Sequence, residues 1–316
     1  MRYIIKIVST LNQLNGNKRV IISMALLSLI WGAAPIIMKI TLLGVDPAFY
    51  SLARFVLATI LLKIILVMLK NKKKFFYRDK LRLMIMGAIL ITPYSYLFLI
   101  GIQYTSSAVA AMINSTVSVW TLIIVYIFTK RSPSIQCIIG MTVSLLALSL
   151  FIFDDLTKDV FSYTENSLFG NSVILLATLC FAYYGFLLKP FEKLGFNSLH
   201  IAYYTFLGAT TSMTLIFLER QESLYISHNI SLVNCIGIVY MALFASVFSY
   251  MLHTQNINSI GPHKATIALN FIPIISVFLS CLIGGEGITI LHFIASLMLT
   301  IGSFLIFRIE TYSKNY

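Results

Sequence analysis

The side chains best equipped for chemistry in this sequence stand inside long apolar runs, where few partners are on offer. Arg54 and Lys39 are cations within such runs. A cation in that setting attracts a carboxylate or another anion if it faces a cavity, and otherwise reaches for a polar interface. Asn114 and Asn270 are amides that need hydrogen-bond partners once buried, and Ser115, Thr116 and Ser118 lengthen the polar stretch around the first of them. Trp31, Tyr94, Trp120, Tyr183 and Tyr250 join an apolar body to a polar tip, which suits stacking on a planar solute and suits core or interfacial packing equally. Pro35, Pro93 and Pro273 each delete a backbone hydrogen bond and free carbonyls, as a hinge or a packing kink does. Taken together, the pattern predicts a site that holds a small organic solute. Trp31, Lys39, Arg54, Tyr94, Asn114, Trp120, Tyr183, Tyr250 and Asn270 are its expected contacts, and the three prolines its expected hinges.

Other chemistries lack their residues. There is no Gly-x-Ser-x-Gly, no His-Glu-x-x-His, no paired acids within an apolar run and no phosphate-binding loop, so a membrane-embedded enzyme is the weaker alternative. A non-transporting scaffold or receptor is a further alternative, but the short connections leave it no domain to work with. Cys137, Cys180, Cys235 and Cys281 show no metal-ligand or redox spacing, so neither metal nor cofactor is expected. None of the eleven Asp and Glu residues falls in the middle of an apolar run. A carboxylate proton relay is therefore not expected, which leaves facilitated diffusion, exchange, or coupling through a lysine or His253.

The elements that position these residues follow from solvent. Of 316 residues 59% are apolar and only 11% charged, with a mean hydropathy of +0.89; soluble domains carry roughly a quarter charged residues. Lipid is the solvent this composition fits. Apolar stretches of spanning length fall at 20–41, 47–69, 81–102, 105–128, 134–153, 168–188, 198–218, 232–256, 263–284 and 288–307. The net charge of +12 is clustered between these runs rather than striped along a surface, so nucleic acid is not an expected partner. Eighteen Lys and Arg, from the first 19 residues, the even-numbered connections and the tail, share one side of the bilayer, while the opposite connections hold Lys158, Arg220 and most of the acids. By the positive-inside rule both termini are cytoplasmic.

The sequence also repeats. Ile30-Trp31-Gly32 through Lys39 and Gly44-Val45-Asp46-Pro47 parallel Cys180-Phe181-Ala182 through Lys189 and Gly195-Phe196-Asn197-Ser198, about 150 residues on. Ala108 to Phe153 likewise resembles His263 to Phe307 in length and in its central loop. Five spans per half is an odd number, so the halves should lie in opposite orientations, an arrangement suited to alternating access. The expected fold is an all-α integral membrane protein of ten transmembrane helices in two inverted five-helix repeats. Its parts are a cytoplasmic segment 1–19, repeats at 20–153 and 168–307, an external linker 154–167 and a cytoplasmic tail 308–316.

This pattern resembles the EamA-type branch of the drug/metabolite transporter superfamily. The resemblance rests on Trp31-Gly32 with Lys39, Pro47 with Arg54, Tyr104-Thr105-Ser106-Ser107-Ala108 with Ala110-Ala111, and Gly140; in the second half it rests on Asn270, Pro273, Gly285-Glu286 and Gly302. The sequence departs from the family midway along the fourth span, where Asn114-Ser115-Thr116-Val117-Ser118 stands in place of a usual proline, and at Lys130-Arg131 in place of a frequent glutamate. The resemblance implies a multi-pass carrier in the cytoplasmic membrane that moves a small metabolite, an amino acid or related compound, outward. Its partners would be that solute and the bilayer, with monomer and homodimer both open. Spans one, three, four, six, eight and nine are expected to enclose a largely uncharged cavity.

Overall fold

The computed structural model describes residues 16–69, 73–130, 133–157, 166–220, 230–261, 265, 269, 271–283 and 289–310. Among these, the regular elements are helices and there are no strands. In chain order they are α1 (Gly16–Thr41), α2 (Pro47–Met68), α3 (Tyr77–Ile102), α4 (Ser107–Thr129), α5 (Ile135–Thr157), α6 (Asn166–Lys193), α7 (Ser198–Glu219), α8 (Leu232–Ile260), α9 (Ile272–Leu282) and α10 (Ile290–Glu310). Seven of the described helices, α1 to α4 and α6 to α8, are long and apolar enough to cross a bilayer. The apolar stretches of α5, α9 and α10 are shorter, at Ile135–Phe151, Ile272–Leu282 and Ile290–Gly302. Asn270, the Gly285-Glu286 turn, the first 15 residues and most of the 154–167 connector lie outside the described residues.

Local chemistry fixes where these helices begin. At α2, Gly44 turns with φ of +74°, the Asp46 carboxylate accepts from the Ala48 and Phe49 amides at 2.8 and 3.0 Å, and Pro47 occupies the first turn. At α7, Gly195 turns with φ of +82° and Asn197 Oδ1 accepts from the His200 amide at 3.0 Å. The two Gly turns paired in the sequence thus fold by the same means. Ser106 caps α4, and Ser231 with Asn234 forms a reciprocal capping box at α8.

Cross-contacts show which helix ends share a face. Arg19 near the start of α1 donates to Gln255 near the end of α8, while Asn234 at the start of α8 donates to the Thr41 carbonyl at the end of α1. Arg220, after α7, reaches Asp46 and the Tyr96 hydroxyl on that second face. Helices approach closely where side chains are absent. A Cβ on Gly208 would run into the Met84 carbonyl and one on Gly87 into that of Thr205, so α3 and α7 pack backbone to backbone. Facing outward are large apolar side chains such as Ile60, Ile64, Ile89, Leu146, Leu215, Phe278 and Ile301. Water penalises such a surface and lipid does not.

Three helices depart from regular winding. Gly87–Ile91 in α3 and Met241–Phe248 in α8 are π-helical. In α3 the cause is Pro93, which has no N–H to offer the preceding turn. Hydroxyls also bond carbonyls at both: Thr92 Oγ1 reaches Gly87 in its own helix at 3.4 Å and Ala209 on α7 at 3.2 Å, and Ser246 Oγ donates to Met241 at 2.8 Å. Helix α4 breaks at Thr116, whose amide bonds the Ile113 carbonyl at 3.1 Å. There the Ser115 and Thr116 hydroxyls, each 2.6 Å from a carbonyl one turn back, compete with the helical ladder. The break is made by hydroxyls rather than by a proline.

Candidate functional site

A cavity of about 410 Å³, open mouth included, lies among α1, α2, α3, α4 and α8. Trp31, Ala34, Pro35 and Met38 form one face of α1, because residues three and four apart line up on a helix. The remaining wall comprises Arg54 from α2, Tyr94, Ser95 and Phe98 from α3, Asn114 from α4, and Met241, Ala245 and Tyr250 from α8. The π-helical stretches adjoin this wall on both α3 and α8, a common setting for such bulges. The room left free inside it is only about 30 Å³, enough for a water or two, so a metabolite enters only when the walls move.

Arg54 dominates the electrostatics. It is 4% exposed. Its Nε donates to Ser246 Oγ at 2.8 Å and its Nη1 to Ser95 Oγ at 3.2 Å, so the guanidinium bridges α8 and α3. The Phe55 ring is 5.8 Å from its Cζ. Among the described residues no carboxylate pairs with it; the acids found in ion pairs are Asp79, with Arg82, and Asp46, with Arg220. A guanidinium has five N–H donors, and two neutral hydroxyls do not cancel its charge. A buried cation of this kind attracts an anion into the cavity.

The opposite wall supplies neutral polarity. The Tyr94 hydroxyl lies against the Asn114 side chain, yet Asn114 Oδ1 and the Tyr250 hydroxyl form no well-made hydrogen bond. Buried polar atoms left this way are available to a ligand. Trp31 is held by its Nε1, which donates to the Ala245 carbonyl in the π-helical stretch at 2.9 Å. Its ring meets Phe181 and Tyr250 edge-on, each at 5.7 Å between centroids, and His253 at 5.4 Å. Phe181 stacks in turn on Tyr94 at 4.6 Å. This aromatic layer floors the cavity. Beyond it, on the face where α1 starts, is a wider opening of about 1070 Å³ lined by Arg19, Asn197, Met251, Gln255 and Asn258 among others.

Six of the residues expected from sequence therefore meet at one cavity: Trp31, Pro35, Arg54, Tyr94, Asn114 and Tyr250. Others do not. Lys39 Nζ donates to the Thr105 carbonyl at 3.0 Å and ties down the α3–α4 turn. Trp120 Nε1 donates to Thr116 Oγ1 at 3.2 Å within its own helix, and Tyr183 packs on Phe128 and Phe186. Pro93 stands just after the π-helical stretch of α3 and Pro273 in the first turn of α9, while Asn270 lies outside the described residues. Helix α6 stands behind the wall through Phe181 and Tyr184, and no described residue of α9 lines it; α2 takes part instead through Arg54. Sequence reasoning missed Ser95 and Ser246, since nothing separates these serines from the many others in apolar runs.

A polytopic helical bundle with a partly polar cavity inside it is a layout that fits a membrane transport protein. The chain belongs to the EamA-like transporter family, which matches residues 18–153 and again 168–308. Two uncharacterized transporters of Bacillus subtilis (strain 168) are similar over most of their length. YyaM is 26% identical across 87% of this chain and 89% of its own, and YoaV 24% identical across 91% and 96%. PagO of Salmonella typhimurium is 25% identical across 89% and 90%. A solved crystal structure of a protein only 10% identical overlays 94% of this chain and 99% of its own with a TM-score of 0.69, a likeness of fold. The chain is thus a multi-pass membrane transporter rather than an enzyme, and the place of such a protein in a bacterium is the cytoplasmic membrane. Its natural partners are a small-molecule substrate and the lipid bilayer.

Proposed function

We propose that this transporter is a secondary carrier for a small organic metabolite bearing a carboxylate, an amino acid or a related compound, moved outward by alternating access. The observation that carries this reading is Arg54, a buried guanidinium in the cavity wall with only two hydroxyl acceptors and no described carboxylate. A solute carboxylate approaching the free edge of the fork forms charge-assisted bonds and neutralises it. Asn114 Oδ1 and the Tyr250 hydroxyl then serve the solute's donors and acceptors, and Trp31, Met38, Phe98 and Met241 its carbon skeleton. Outward movement follows the family resemblance.

In this reading all ten helices cross the bilayer as two inverted repeats, 20–153 and 168–307, joined by an external linker at 154–167. The face where α1 starts is cytoplasmic; Arg19, Lys74, Arg78, Lys80, Arg82 and Lys130 support that assignment by their charge. The aromatic layer of Trp31, Phe181, Tyr250 and His253 closes the cytoplasmic path, with the α3 and α8 bulges, the α4 break, Pro35, Pro93 and Pro273 as the places where helices flex. One chain encloses the whole cavity, so a monomer suffices for transport. Counterflow into proteoliposomes, with a panel of amino acids, nucleosides and sugars, tests the proposal. Exchange of one or more amino acids is expected. Exchange of nucleosides or sugars alone would remove the carboxylate from the argument, and turnover of a solute without translocation would sink the carrier.

A further inference from the structure

We infer that His253 is the proton-binding site through which this carrier exchanges its solute for a proton, an inference that rests on the transport reading above. His253 is fully buried, and neither Nδ1 nor Nε2 has a hydrogen-bond partner. Its ring lies between Trp31, at 5.4 Å, and Phe181, stacked at 5.4 Å with 23° between planes. It stands one helical turn past Tyr250, the cavity floor, on the side of the wider opening. Thr254 Oγ1 and Asn256 Nδ2 extend the unpartnered polar surface in the same direction. A buried polar atom left unbonded is costly. A layer that water or solute enters in the alternate state recovers that cost.

Imidazole alone among unperturbed side chains changes charge between about pH 5 and 8. The other described histidines stand in first turns and are engaged: His200 with Asn197 in α7, His292 with Thr289 in α10. Around His253, helices α1, α6 and α7 pack against α8. The titratable or charged side chains on the surrounding elements are Tyr250 on α8 itself, Tyr184 on α6 against Phe181 and Tyr250, Tyr94 on α3 across Phe181, and Arg54 across the cavity. Arg19 on α1 meets Gln255 at the inner end, and Tyr203 and Tyr204 belong to α7. Among the described residues no carboxylate competes for the proton from these helices: Asp46 caps α2, Asp79 pairs with Arg82, and Glu219 ends α7.

The charge logic then sets the mode. With its carboxylate on Arg54, an amino acid donates an ammonium N–H to neutral imidazole. Imidazolium repels that ammonium, so proton and solute occupy the layer in turn. In the outward-facing state a ring nitrogen takes a proton from external water as the solute leaves. In the inward-facing state it returns that proton to cytoplasmic water as the next solute binds; one N–H bond forms and breaks per cycle.

Trp31 is a built-in reporter, because Trp120→Phe leaves it the sole tryptophan and imidazolium quenches a neighbouring indole. In nanodiscs, Trp31 emission is expected to fall sigmoidally on acidification, and to stay flat when His253→Gln is added. The same titration in both proteins, or none in the first, overturns the proton site. In proteoliposomes holding a pH dye and a lumenal mixture of the protein L-amino acids, external acid is expected to drive proton entry with amino-acid efflux. His253→Gln should lose the proton entry and retain labelled counterflow at a reduced rate, because the amide offers the ammonium an acceptor but carries no exchangeable charge. Counterflow without proton entry in the unsubstituted protein overturns the exchange and leaves the carrier standing. Absence of any counterflow sinks the carrier, and the fluorescence titration still decides the proton site.

Discussion

Replacing Arg54 by Met separates a binding role from a structural one, because the two predict opposite changes in stability and affinity. The stem length is kept and the charge removed. A buried guanidinium without a counter-charge bears a desolvation cost of several kcal/mol, against which two hydroxyl bonds return about 1.5–3 kcal/mol each. The Ser246 hydroxyl keeps its own bond to the Met241 carbonyl at 2.8 Å, so the substitution strands no donor there. Net stability should hold or rise. The solute carboxylate loses one or more charge-assisted bonds, about 1.5–3 kcal/mol for the first, which at about 1.4 kcal/mol per decade is roughly a 10- to 100-fold weaker half-saturation. Counterflow over a concentration series measures the second quantity and thermal unfolding in detergent the first. A lower melting temperature with unchanged half-saturation refutes the reasoning and makes Arg54 a brace between α3 and α8.

Asn114→Ala should impair counterflow without reducing membrane insertion, whereas Trp120→Phe should leave it near normal, since only Asn114 lines the cavity; equal loss in both would shift the site toward the middle of α4. Gly208→Ala drives a methyl group into the Met84 carbonyl and should cost about 1–3 kcal/mol by overpacking, read as a lower melting temperature; unchanged melting would mean that α3 and α7 are looser than described. Gly44→Ala has open space around its Cβ but keeps φ at +74°, so its expected cost is smaller, about 1 kcal/mol, and a loss as large as that of Gly208→Ala would contradict the turn geometry.

The features readable from sequence were those decided by solvent and by near neighbours along the chain. Apolar runs locate helices because lipid demands that each backbone group be satisfied within its own segment. Asp46-Pro47 and Asn197-Ser198 start α2 and α7 because capping involves only the next few residues. Pro93 marks a disturbance in α3 for the same reason, but the matching π-helical stretch of α8 has no proline and no local cue.

Which polar residues meet was decided by the tertiary structure alone. Lys39 and Arg54 are both cations inside apolar runs, alike in sequence. Lys39 sits in the last turn of α1 and reaches the nearby Thr105 carbonyl. Arg54 lies two turns into α2, on the face turned toward Ser95 and Ser246, residues 41 and 192 positions away. Trp31 and Trp120 divide likewise, one joined to α8 across the bundle and the other to its own helix. Sequence places a residue along the membrane normal, through hydropathy and charge. The rotation of each helix about its axis depends on packing between distant segments, and that rotation is what chose the residues of the cavity.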